Sequence, residues 1–130
     1  MNNLPDSGDL LAIARETLLS ELRPLLPAGA GYTVAMIANA MAVAARAAEA
    51  GEKPLLDALA RLERVYGGPP RDLHGTALHT AVAHLEQRLS RDIRSGRFDS
   101  GDERQRELLD HLRESVTARL RISNPKSLKG

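Results

Sequence analysis

Val34-Ala35-Met36-Ile37-Ala38-Asn39-Ala40-Met41-Ala42-Val43-Ala44-Ala45 is apolar at every position except Asn39. Because it is apolar on all sides, and not along one stripe, the run predicts a helix that neighbours must cover from several directions. It is too short and too rich in alanine to span a bilayer, so it is expected as the central helix of a globular core. Upstream, Asp6 to Asp9 suit a helix N-terminus, and Leu11, Ala14, Leu18, Leu22 and Leu25 follow at helical spacing until Pro24 and Pro27 kink or end the segment. Downstream, Gly51 reads as the stop of the central helix and Pro54 as a first-turn residue of the next, a tight connection that implies antiparallel neighbours.

The third helix runs to about Tyr66, with Leu55, Leu56, Leu59, Leu62 and Tyr66 on one face and Arg61, Glu63 and Arg64 expected in solvent. The loop Gly67-Gly68-Pro69-Pro70-Arg71-Asp72 ends on a residue able to cap the next helix. In that fourth helix Leu78, Val82, Leu85, Leu89 and Ile93 repeat at helical intervals up to Gly96. Ser100 and Glu103 then have the spacing of a capping box, and the helix they open is expected to turn Leu108, Leu109, Leu112, Val116 and Leu120 inward before Pro125. No alternating run or internal repeat interrupts this order. The pattern predicts an all-α fold: a compact antiparallel bundle of about five helices around a central apolar helix, with residues 1–130 as a single helical domain.

Composition agrees. In 130 residues there are 21 Leu and 19 Ala, both helix formers, against one Phe, two Tyr and no Trp, too few for a β-sandwich or barrel. The absence of cysteine excludes disulfides, thiolate metal sites and a Cys nucleophile. A net charge of +1 gives no strong field for nucleic acid or an anionic membrane, and the 15 Arg against 3 Lys read as base composition of the gene, not as a phosphate-binding device. The start, MNNLPDSGDLL, lacks a basic segment followed by a long apolar one, which makes the cytoplasm the expected location.

The chemistry-bearing residues are dispersed. His74, His79 and His84 fall at intervals of five, which turns a helix through about 140° per step, so the rings diverge and no metal or other cofactor is expected. All four histidines, His111 included, are read as surface or capping residues. There is no G-x-S-x-G elbow, and Gly29-Ala30-Gly31 follows a helix and lacks the lysine of a phosphate-binding loop. The sharper signals are polar residues on apolar ground. Asn39 interrupts the central run, and Arg46, seven residues on, lies within about 20° of it on the helix. They form either a seam recognising a partner or anionic ligand, or a buried hydrogen bond and an edge ion pair. Arg94, near Gly96, is a third candidate, with capping of the helix C-terminus as its structural role.

Three segments carry a resemblance: Met36 through Arg46, Ile93-Arg94-Ser95-Gly96-Arg97-Phe98-Asp99, and His111-Leu112-Arg113 with Leu120-Arg121-Ile122-Ser123-Asn124-Pro125-Lys126-Ser127-Leu128. Together they resemble the landmark segments of a small bacterial helical domain of unknown function, similar to this protein over nearly its whole length. Members of that family stand beside, or fused to, phosphotransferases of the aminoglycoside- and choline-kinase-like type, often near acyl-CoA dehydrogenase genes. The family pattern continues past the arginine of its first segment into an acidic and an aliphatic residue, whereas here Ala47 and Ala48 precede Glu49. The resemblance implies no catalytic residues.

Two functions are expected. The first is a non-enzymatic accessory or interaction domain that acts with a phosphotransferase-like enzyme and self-associates as a dimer. Leu19 and Leu26 stand roughly 80–100° off the main stripe of the first helix, as a second strip for a partner copy. The alternative is a helical bundle that binds a small acyl or anionic metabolite through Asn39 and Arg46. A nucleic-acid adaptor lacks a basic cluster.

Overall fold

The computed structural model describes residues 4–129, and among them there are five α-helices and no strand. The all-α expectation holds, and the helix boundaries fall close to the punctuation read from the sequence. Helix α1 (Ser7–Thr17) opens on a reciprocal capping box in which Asp6 and Asp9 each bond the other's backbone N–H. The backbone then widens into a π-turn, Leu18–Leu22, and tightens into a 3₁₀ turn, Arg23–Leu25, at Pro24. Helix α2 spans Gly31–Ala50, α3 Lys53–Tyr66, α4 Gly75–Arg94 and α5 Glu103–Ser123. Gly51 (φ +58°) and Gly67 (φ +70°) end α2 and α3 in backbone conformations that residues bearing a Cβ rarely adopt.

The caps of α4 and α5 differ from expectation. The Gly75 N–H donates to Glu52 at 2.6 Å, so α4 is capped by a residue distant in sequence, while Asp72 bonds the ring of His74. At α5, Asp102 receives the N–H groups of Arg104 and Gln105, and takes the role expected of Ser100.

The molecule divides into two compact units, one running up to Gly51 and including the segment from Leu120 onward, the other Glu52–Arg119. In the second unit α3, α4 and the greater part of α5 enclose Ala58, Leu59, Leu62, Val65, Leu78, Val82, Leu89, Phe98 and Leu108. Phe98, in the turn after α4, is buried and meets Tyr66 edge-on at 6.4 Å between ring centroids. In the first unit α1 packs on α2 around Leu18, Val34 and Ala38. Several inward expectations are corrected. Ile93 is exposed at the end of the α4 stripe, and among the leucines and valine expected inward on α5 only Leu108 is buried, with Leu109, Leu112 and Val116 exposed. Glu63, expected in solvent, is buried, with Arg71 Nε 3.6 Å from its carboxylate.

Candidate interaction surface

Helix α2 is the most apolar segment of the protein, yet Val34 and Ala38, one turn apart on one face, are its only buried residues. Its N-terminal half is covered on one face, while residues 41–43, Ala45 and Arg46 of its C-terminal half are half-buried; the sequence predicts cover from several directions along the whole run. Val34 and Ala38 point at α1; Tyr32 and Met36 project about 120–160° away on the helical wheel and are 77% and 54% exposed. On α1, Leu10 and Ile13 are exposed too, and so are Leu25 and Leu26 beyond it. Leu19, expected on a partner-facing strip, is half-buried against Leu18, Val34 and Ala38. The helical stretch Ala28–Ala50 has 23 residues and a hydropathy of 1.4 over its most apolar window, enough to cross a membrane by length and composition. Its extent exceeds the twelve-residue run read from the sequence because the flanking turns continue the helix at both ends.

Asn39 is exposed and has no side-chain hydrogen bond among the described residues, so the buried, bonded asparagine of one sequence reading is not found. It lines an open groove of about 250 Å³ with Arg15, Leu19, Arg23, Val34 and Ala35. Arg15 is held there by a bond from its Nε to the carbonyl of Ala38 at 3.1 Å. Arg46 is half-buried, and its Nε donates to the carbonyl of Ile122 at 2.7 Å, within the last turn of α5. That carbonyl lacks a helical donor because the backbone leaves the helix at Asn124, so the Arg46 guanidinium caps the C-terminus of α5. Asn39 and Arg46 therefore share a helix but not a partner: Arg46 serves the end of α5, and the Asn39 side chain has no hydrogen-bond partner among the described residues. Arg94 is exposed in the last turn of α4, where a cation favours the helix C-terminus.

A polar network in the second unit was missed by sequence reasoning. His111 is fully buried; its Nδ1 accepts from Arg61 Nε at 3.2 Å and its Nε2 lies 3.1 Å from Glu86 Oε1. Since Nδ1 accepts, the proton of the neutral ring sits on Nε2 and donates to Glu86. Burial holds the His111 pKa below the ordinary histidine range, against the upward pull of Glu86. Ser115 Oγ stands 3.5 Å from the same Nε2, which already carries a proton and cannot take another from the hydroxyl. The arrangement joins three helices and does not build a nucleophile. Its only sequence signal is the register Leu108, His111, Ser115, which shares one face of α5.

A second cluster surrounds Tyr66, whose hydroxyl donates to Asp92 at 2.6 Å beneath the guanidinium of Arg88, 3.9 Å from the ring centroid. Burial, and then the Asp92 carboxylate, push the Tyr66 pKa up to about 12. At the surface, hydrogen bonds from the His74 ring to the carboxylates of Glu52 and Asp72 raise its pKa; His74 stands at the N-cap position of α4, but its side chain makes no capping bond to the helix. His79 and His84 are exposed on α4, and no group of three or more His, Asp or Glu among the described residues is placed to hold a metal ion.

A family model described as Domain of unknown function (DUF6285) matches residues 24–127. No curated protein and no solved structure matches the sequence.

Proposed function

The chain belongs to the DUF6285 family, a domain of unknown function, and from that premise we propose that it is a non-enzymatic accessory domain that works by protein association in the cytoplasm. The observation that carries this reading is the uncovered apolar face of α2 with Tyr32 and Met36. Exposed side chains of that size gain about 25 cal/mol for each Å² removed from water, so a face of this kind favours an occupant. A second copy of the protein is the occupant we assign, since each copy would cover the other's α2 in an isologous dimer. The Arg15 guanidinium at the midpoint of α2 supports protein over lipid, because a charged side chain at the centre of a bilayer costs about 2.5–3.5 kcal/mol or more. A phosphotransferase-like enzyme is the further partner we assign, on the strength of the family resemblance.

Light scattering tests the association. We expect a mass of about twice 14.1 kDa at micromolar concentration, falling on dilution, and a monomer of unchanged helicity for Met36→Glu. A constant monomer mass overturns self-association, and flotation with lipid vesicles in place of dimerisation overturns the protein occupant. Met36 is chosen over Leu19, whose half-buried side chain would report on folding instead.

A further inference from the structure

Arg15, Leu19 and Arg23 succeed one another at intervals of four. On a regular α-helix, which turns about 100° per residue, the third of them drifts about 80° from the first. The backbone between them is not regular: the π-turn Leu18–Leu22 bonds each residue to the fifth one on and carries more residues per turn. All three consequently line the same groove against α2, opposite Val34, Ala35 and Asn39.

The two arginines differ from the paired arginines of the second unit, although Arg91, Arg94, Arg104, Arg106 and Arg113 there also stand without a carboxylate among the described residues; what sets Arg15 and Arg23 apart is that they line one groove together. Arg64, Arg71, Arg88 and Arg97 each stand within 4 Å of a carboxylate. Arg15 and Arg23 have none at that distance among the described residues, and Arg23 has no side-chain hydrogen bond there either. Arg15 is nonetheless oriented, since its Nε is spent on the Ala38 carbonyl and its two terminal amino groups remain to donate. The groove thus combines one fixed guanidinium, one free guanidinium, an unpartnered amide at Asn39, and apolar walls at Leu19 and Val34. Next to it, a pocket of about 100 Å³ shares Arg23 and Val34 and adds Leu26 and Pro27.

We propose that this groove binds a small organic anion, whose carboxylate or phosphate is held between Arg15 and Arg23 with Asn39 as a further donor, and whose short apolar part lies along Leu19, Val34 and Leu26. The recognised chemistry is a compact anionic group, which guanidinium forks bind in bidentate fashion. The groove and its neighbour together offer room for a compact anionic head and a short aliphatic tail. The proposal is independent of self-association, because the groove is built within one copy.

Inorganic phosphate and butyrate are the two probes, each titrated into the full-length protein and followed by the amide signals of Gly31, Ala35 and Asn39 in nitrogen–proton correlation spectra. We expect saturable shifts with one probe, and that probe identifies the anion class. Arg23→Gln should weaken binding about tenfold with an unchanged melting temperature, since Arg23 supports nothing in the fold. Arg15→Gln should weaken it too, and Arg94→Gln, in the other unit, should not. Shifts that fail to saturate with either probe overturn the proposal, and so does equal affinity in parent and Arg23→Gln.

Discussion

The Nε proton of Arg61, donated to His111 Nδ1 at 3.2 Å, fixes which form of the ring the core of the second unit accepts. The neutral ring satisfies both neighbours. The protonated ring would bring a second cation against Arg61 in a buried site. Because the folded-state pKa lies below the unfolded value of about 6.5, the unfolded protein binds the extra proton first as pH falls. Stability should therefore be full above that pH and fall as pH drops through the lowered pKa. His74 has the opposite sign: its raised pKa gives a contribution present below the ordinary histidine value and lost as pH rises through the folded one. Melting temperatures between about pH 5 and about pH 8 should show the acid-side loss more clearly in His74→Ala, which removes the opposing contribution. His111→Gln should flatten it and cost about 1–3 kcal/mol at neutral pH through lost bonds. An unchanged acid limb in His111→Gln would assign the effect to other groups.

At the scale of elements, the punctuating glycines can be ranked before they are measured. Gly67 caps α3 in the left-handed region with open space around it, so Gly67→Ala should cost about 1–2 kcal/mol, the usual penalty for a Cβ there. Gly51 (φ +58°, ψ −136°) lies outside the left-handed helical well, so Gly51→Ala should cost more, up to about 3 kcal/mol. Gly68, with open space and no positive φ, is the control: alanine there should be neutral or stabilise by about 0.4–1 kcal/mol. Denaturant melts of the three variants check the order, and equal losses would reject the backbone argument. These stops were legible because glycine and proline act through local geometry that the sequence states directly. Faces were legible only where apolar spacing was unopposed, as for Leu78, Val82 and Leu89. On α5 two registers competed. Leu109, Leu112 and Val116 outrank His111 in hydropathy, but His111 is buried because Arg61 and Glu86 satisfy both ring nitrogens, and that pairing across helices leaves no periodic trace. The anion groove was half legible. Asn39 is singled out by its isolation, whereas nothing in the sequence marks Arg15 and Arg23, which the π-turn brings into line.

Across the whole molecule the two units differ in how much they enclose. Nine buried residues form the core of the second, among them the fully buried Leu62 and Leu78, whereas the first holds Leu18, Val34 and Ala38. Truncating Leu62 to alanine should cost about 2–5 kcal/mol, as for other fully buried leucines. No residue of the first unit offers a comparable loss among those described, since its one buried leucine, Leu18, is at the boundary of burial at 9% exposure. With so thin a core, any occupant of the outer face of α2 would stabilise α1 and α2 by linkage, and that effect is measurable. If a second copy is the cover, the free energy of opening α1 and α2 rises with protein concentration, while that of α3 and α4 stays constant because their core is complete within one copy. Amide hydrogen exchange resolves the elements separately. Raising the concentration tenfold through the dissociation range should slow exchange in Gly31–Ala50 and leave Lys53–Tyr66 unchanged. Met36→Glu should abolish the difference by holding the protein monomeric. Protection of α2 that is independent of concentration would mean that the first unit closes on itself without a partner.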